Sequence, residues 1–114
     1  MTYSIYHNPR CRKSRETLSL LSDHSDSIEV IEYLNNVPSR AELKAIIKKL
    51  GISAEQLLRK GGDDFKTHFK GKDLSEDEWI DAMISYPKLI ERPIVVKGDK
   101  AIIGKPPENV MKLF

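Results

Sequence analysis

TYSIYHNPRCRKSRETLSLLSDHSDSIEVIEYL, residues 2–34, decides the fold. Residues 2–6 alternate and are rich in β-formers, which reads as a short strand. Asn8-Pro9 is a turn signal that ends it. From Arg12 to about Leu21 the residues are good helix formers, and Leu18 and Leu21 with Ser14 or Thr17 make one helical stripe. Ser22–Ser27 is polar and reads as a loop. Ile28–Leu34 reads as a second strand. Strand, helix and strand in so short a span predict two parallel strands joined by a crossover helix.

Downstream the pattern changes. Pro38-Ser39-Arg40 opens a helix to Leu50, with Leu43, Ile46, Ile47 and Leu50 on one face and Gly51 as terminator. Ser53 with Gln56, and Ser75 with Glu78, have capping-box spacing. The first predicts a short helix holding Leu57 and Leu58, broken by Gly61-Gly62. The second predicts a helix from Ser75 to about Tyr86. Phe65 and Phe69, four apart, suggest another short helix over 63–70. Residues 39–90 thus read as helical throughout. Arg92–Val96 and Lys100–Ile103 then flank Gly98-Asp99 as a β-hairpin, and Pro106-Pro107 opens a last helix over about 108–114. The expectation is an α/β chain with a small four-stranded mixed sheet, βαβ…ββα, and a helical insertion at about 39–90. This is the element order of the thioredoxin-like architecture.

The 114 residues suit a single domain, 1–114, that buries roughly two thirds of its unfolded surface. Charged residues make up 32% and hydrophobic ones 39%, which excludes a disordered chain. Nineteen basic against 17 acidic residues is too even to imply nucleic-acid binding. No apolar run approaches the ~18 residues of a membrane span, and the start lacks a signal-peptide layout. One cysteine, Cys11, rules out an internal disulfide and suggests a reducing, cytoplasmic setting. Nothing demands an oligomer, so a monomer is expected.

Cys11 carries the chemistry. It falls where the first helix should begin, and Arg10, Arg12, Lys13 and Arg15 surround it with no acid before Glu16. A helix N-terminus offers unpaired N–H groups and partial positive charge, which suit a thiolate or an oxyanion. An ordinary thiol titrates at about 8.5, and such surroundings lower it. Cations at that end oppose the helix dipole, so they call for a functional reason. Competing chemistries fit poorly. A tyrosine-phosphatase-type loop needs Arg where Thr17 stands. A Cys-x-x-Cys redox pair needs Cys where Ser14 stands. A zinc site needs about four ligands; His7, His24, His68 and Cys11 are the only nitrogen or sulfur candidates, and no metal is expected.

The loop His7-Asn8-Pro9-Arg10-Cys11-Arg12-Lys13-Ser14-Arg15 resembles the active-site loop of ArsC-type, glutaredoxin-linked arsenate reductases. Leu57-Leu58-Arg59 and Arg92-Pro93-Ile94-Val95-Val96 resemble two further segments of that family, in the same order along nearly the whole chain. The resemblance implies an enzyme that reduces arsenate to arsenite, with Cys11 as nucleophile. Glutathione is the implied co-substrate and glutaredoxin the implied partner, with no bound cofactor. It implies that Arg59, Arg92 and Lys105 hold the oxyanion. His7 tunes the thiol, Ser14 hydrogen-bonds near it, and Asn8 and Arg15 complete the loop. Pro93 is implied to follow a cis bond.

The chain departs from the family pattern twice. Arg12-Lys13 stands where better-known members have Gly-Thr. Lys105 stands in Gly104-Lys105-Pro106, where Arg-Pro is typical, and lysine lacks arginine's planar fork. Two alternatives stay open: a thiol protein of this fold that forms mixed disulfides and acts on another substrate, and a regulatory binding protein. The lone cysteine means that any adduct on Cys11 must be resolved by an external thiol.

Overall fold

The computed structural model describes residues 2–114. The chain forms two compact units. One comprises the residues up to Asn36 together with Arg92–Phe114, and the other is Val37–Glu91.

The first unit is built on a four-stranded sheet of β1 (Tyr3–Tyr6), β2 (Ile28–Ile31), β3 (Ile94–Lys97) and β4 (Lys100–Ile103), in the order β2-β1-β3-β4. β1 and β2 are parallel, with Tyr3 beside Ile28 and Tyr6 beside Ile31. β3 runs antiparallel to both β1 and β4, pairing Tyr6 with Ile94 and Ile94 with Ile103. The mixed sheet is therefore as expected. β2 is shorter than read, stopping at Ile31, and it is an edge strand with Val30 exposed.

α1 (Arg12–His24) crosses between β1 and β2. It runs three residues past the expected end, because Ser22, Asp23 and His24 continue the turn until the Ser25 N–H bonds Leu21 O. Its stripe of Ser14, Thr17 and Leu21 is buried. Leu21 joins Tyr3, Ile5, Val95, Val110 and Leu113 in one apolar core. Each such aliphatic side chain, fully removed from water, contributes about 1.5–3 kcal/mol. The last segment, Pro107–Leu113, is a 3-10 helix rather than an α-helix. It packs on α1 and β4 and inserts Val110 and Leu113 into that core.

The second unit contains α2 (Arg40–Leu50), α3 (Asp63–His68) and α4 (Glu76–Ser85), with 3-10 turns at Glu55–Leu57 and Pro87–Leu89. Both anticipated capping boxes form. The Ser75 side chain accepts from the Glu78 N–H while Glu78 accepts from the Ser75 N–H. Ser53 and Gln56 pair the same way, but the helix they open lasts a single 3-10 turn. α2 starts on Ser39, which accepts from the Glu42 N–H, and stops at Gly51, whose φ of 70° suits glycine. Reading 39–90 as helical throughout needs one correction. Leu58 and Ile90 form an antiparallel bridge, closed by Arg59 N–H to Leu89 O at 2.6 Å and Glu91 N–H to Leu57 O at 2.9 Å. Phe69, Trp79 and Tyr86 supply an aromatic cluster within this unit. Among the described residues, no helix is long and apolar enough to cross a membrane.

Candidate active site

The reactive loop begins where β1 ends. The His7 N–H donates to Ile31 O at 2.8 Å, extending the β1–β2 ladder by one rung. The chain then folds back on itself. The Arg10 N–H donates to Asn8 Oδ1 at 3.1 Å, an Asx turn, and the Cys11 N–H donates to Asn8 O at 3.0 Å. Cys11 lands at the N-cap of α1 in extended conformation, and its carbonyl accepts the Arg15 N–H at 3.0 Å. Asn8 and Pro9 therefore deliver the cysteine to the helix start, as the sequence suggests.

Ser14 ties the loop to the helix. It is fully buried, and its Oγ accepts the Asn8 N–H at 3.0 Å and lies 2.6 Å from His7 Nδ1. Ser14 Oγ thus bonds both the loop backbone and the His7 ring, holding the imidazole against the start of α1. Burial pushes the His7 pKa down; the Glu32 carboxylate opposes this and the Arg15 guanidinium adds to it. Arg15 also donates to Pro9 O at 3.0 Å, bracing the loop from outside.

The Cys11 thiol is held below its ordinary pKa. Burial pushes it up, but the Ser14 N–H, the Arg92 guanidinium (as hydrogen-bond donor and as charge) and the Lys13 N–H together outweigh that. None of the first-turn N–H groups reaches the sulfur within strict capping geometry. They act on it as a convergent field at the helix start. One part of the sequence reading is corrected here. The helix start does favour the thiolate, but the chief cation is Arg92 rather than the loop's own Arg10, Arg12, Lys13 and Arg15. Arg12 instead bonds Glu16 at 2.8 Å, pointing into solvent.

Arg92 stands just before β3, whose pairing with β1 brings it to the end of the strand that leads into the loop. Arg92-Pro93 is cis, and so is Lys105-Pro106. The Gly104 N–H donates to Pro93 O at 2.8 Å, joining the two turns. Thr17 closes the assembly from α1: its Oγ1 donates to Lys13 O at 2.8 Å and sits 3.5 Å from Gly104 O. A Cβ on Gly104 would lie 2.5 Å from Thr17 Oγ1 and 2.8 Å from Pro93 Cγ, so only glycine fits. Lys105 follows at the surface, lining a groove with Arg12 and Lys13.

His7, Asn8, Cys11, Ser14, Arg15 and Arg92 thus belong to one connected network, with Lys105 beside it. Arg59 stands in the second unit, on the Leu58–Ile90 bridge, with its guanidinium folded back toward Gly62. Sequence reasoning missed Glu32, Thr17 and the second cis bond. Only the run Gly104-Lys105-Pro106-Pro107 carried a signal for the last. Among the described residues, no three His, Cys, Asp or Glu side chains are grouped to hold a metal.

A mixed sheet of this order, a cis-proline at the start of β3 and an N-cap cysteine on the first helix define a thioredoxin-like thiol protein. The family model for the ArsC family matches residues 6–113. The chain is 48% identical to "Uncharacterized protein YfgD" of Escherichia coli K12, with 96% of this chain and 93% of that one covered. It is 44% identical to a Haemophilus influenzae arsenate reductase, with both chains covered in full. A solved structure of arsenate reductase from Vibrio cholerae superposes with a TM-score of 0.94 at 43% identity, covering 100% of this chain and 98% of that one. The chain belongs to the ArsC family.

Proposed function

We propose that this protein is a cytosolic arsenate reductase in which Cys11 is the nucleophile and glutathione and glutaredoxin are the reductants. The observation that carries the reading is Cys11 at the N-cap of α1, its thiolate favoured by the Ser14 and Lys13 N–H groups and by Arg92. That field also suits a bound oxyanion. The Cys11 thiolate attacks arsenic, and one arsenate oxygen leaves as water. Reduction of As(V) to As(III) takes two electrons, which two thiols supply on becoming a disulfide. Only Cys11 is present in the chain, so the second thiol comes from outside. Arg92 stabilises charge on the oxyanion, and Lys105 and Arg59 are assigned the same role from the family resemblance. His7 and Ser14 position the loop, as do Asn8 and Arg15.

With glutathione and glutaredoxin present, arsenate-dependent consumption of reductant is expected, and Cys11→Ser abolishes it. Normal turnover by Cys11→Ser would end this reading. The Arg12-Lys13 pair and Lys105 favour one second reading, a thiol protein of the same fold that forms mixed disulfides and acts on another substrate. Ready glutathionylation of Cys11, with no arsenate-dependent turnover, would select it.

A further inference from the structure

Apart from Lys105, the side chains of the groove beside the first turn of α1 have no role in the chemistry above. This is an open surface groove of about 570 Å³ lined by Arg12, Lys13, Glu16, Lys105, Pro106 and Pro107. Its lining holds three cations and one carboxylate, with Arg12, Lys13 and Glu16 on α1 and Lys105 on the loop after β4. Glu16 is itself engaged by Arg12 at 2.8 Å. Pro106 and Pro107 complete the lining. The groove starts at the residue following Cys11, and its Lys13 contributes both a groove side chain and a backbone N–H that acts on the Cys11 sulfur.

Cys11 does not itself line the groove, but Lys13 belongs both to it and to the turn that acts on the sulfur, so an anionic ligand held there is brought toward the thiol. The lone cysteine needs an external thiol, and the groove's charge selects which kind. We infer that the groove formed by Arg12, Lys13 and Lys105 is the docking subsite for the carboxylates of the thiol, or of its disulfide, that exchanges with Cys11. This rests on the reading that Cys11 reacts covalently with an outside thiol, but not on arsenate being the substrate. In the exchange, the Cys11 thiolate attacks one sulfur of a disulfide. A Cys11–sulfur bond forms, the old sulfur–sulfur bond breaks, and the second half leaves as thiolate, with no net oxidation.

The test uses no arsenate. Glutathione disulfide, which is anionic, and bis(2-hydroxyethyl) disulfide, which is neutral, are each reacted with the protein at low ionic strength. The rate of Cys11 modification is read by intact mass. The neutral reagent corrects for any change in the thiolate population. In Arg12→Gln/Lys13→Gln the ratio of the anionic to the neutral rate constant is expected to fall at least tenfold, and the wild-type ratio is expected to fall with added salt. Lys48→Gln/Lys49→Gln removes the same charge from α2 and is expected to leave the ratio unchanged. An unchanged ratio in the groove variant would overturn the subsite. An equal fall in the α2 variant would overturn it too, because net charge would then suffice. Arg12, Lys13, Lys48 and Lys49 are all exposed, so both variants are expected to melt as wild type does. A protein inactive toward arsenate that still shows the selective fall retains the subsite and loses only the proposed substrate.

Discussion

Two titrations at neighbouring residues share one scaffold but have different causes. Cys11 is lowered by donors that arrive from its own helix and from Arg92. Arg92→Ala removes the only side chain among those donors. It is expected to raise the midpoint of Cys11 alkylation toward the free-thiol value of about 8.5, as measured by the pH dependence of iodoacetamide labelling. A midpoint unmoved by the substitution would leave backbone N–H groups as the whole cause. His7 is lowered chiefly by burial, against Glu32 and with Arg15. Its imidazole resonance should therefore titrate below about 6.5. Glu32→Gln should lower it further and Arg15→Gln should raise it. The importance of Cys11 was legible because cations crowd a helix start where acids are usual. That Arg92 rather than Arg12 reaches the sulfur was not, since eighty residues separate them and only the sheet pairing of β1 with β3 brings their ends together.

Among the elements, the junction of α1 with the two proline turns is the least tolerant of change. Thr17, Pro93 and Gly104 meet there with no room for a methyl group. Gly104→Ala is expected to cost about 1–3 kcal/mol through overpacking, read as a lower urea midpoint, and to lower activity by displacing Arg92. An unchanged midpoint would show that Thr17 can rotate away. Nothing in the sequence marks this contact, because a helix hydroxyl and a loop glycine become neighbours only in the folded chain. The capping boxes, by contrast, are local. Ser75 and Glu78 could be read correctly since their partners lie three residues apart. The Ser53–Gln56 box was equally visible, yet its helix stops after one turn, where Leu58 leaves to pair with Ile90. A long-range backbone bridge overrode local propensity at that point.

For the molecule as a whole, the two shifts act on stability with the same sign. A group whose pKa is lowered on folding binds fewer protons in the native state, so stability rises with pH across its window. For His7 the contribution is present above about 6.5 and fades as pH falls through the native value. For Cys11 it is complete only above about 8.5 and fades likewise on acidification. The urea midpoint is thus expected to be higher at pH 8 than at pH 5.5, and Cys11→Ser is expected to narrow the difference. A flat profile would contradict both assignments. Fold class was legible at this scale because periodicity switches from two to 3.6 and back along the chain. The division at Asn36 and Arg92 follows the same switches.

Trp79, the single tryptophan, is buried in the unit formed by Val37–Glu91, while the single cysteine lies in the other. Nature has thereby labelled each half with its own reporter. Indole fluorescence follows one and thiol reactivity the other, in the unmodified protein. A single denaturant series can therefore reveal whether the halves melt as one cooperative block or in succession. No engineered probe is needed to see it.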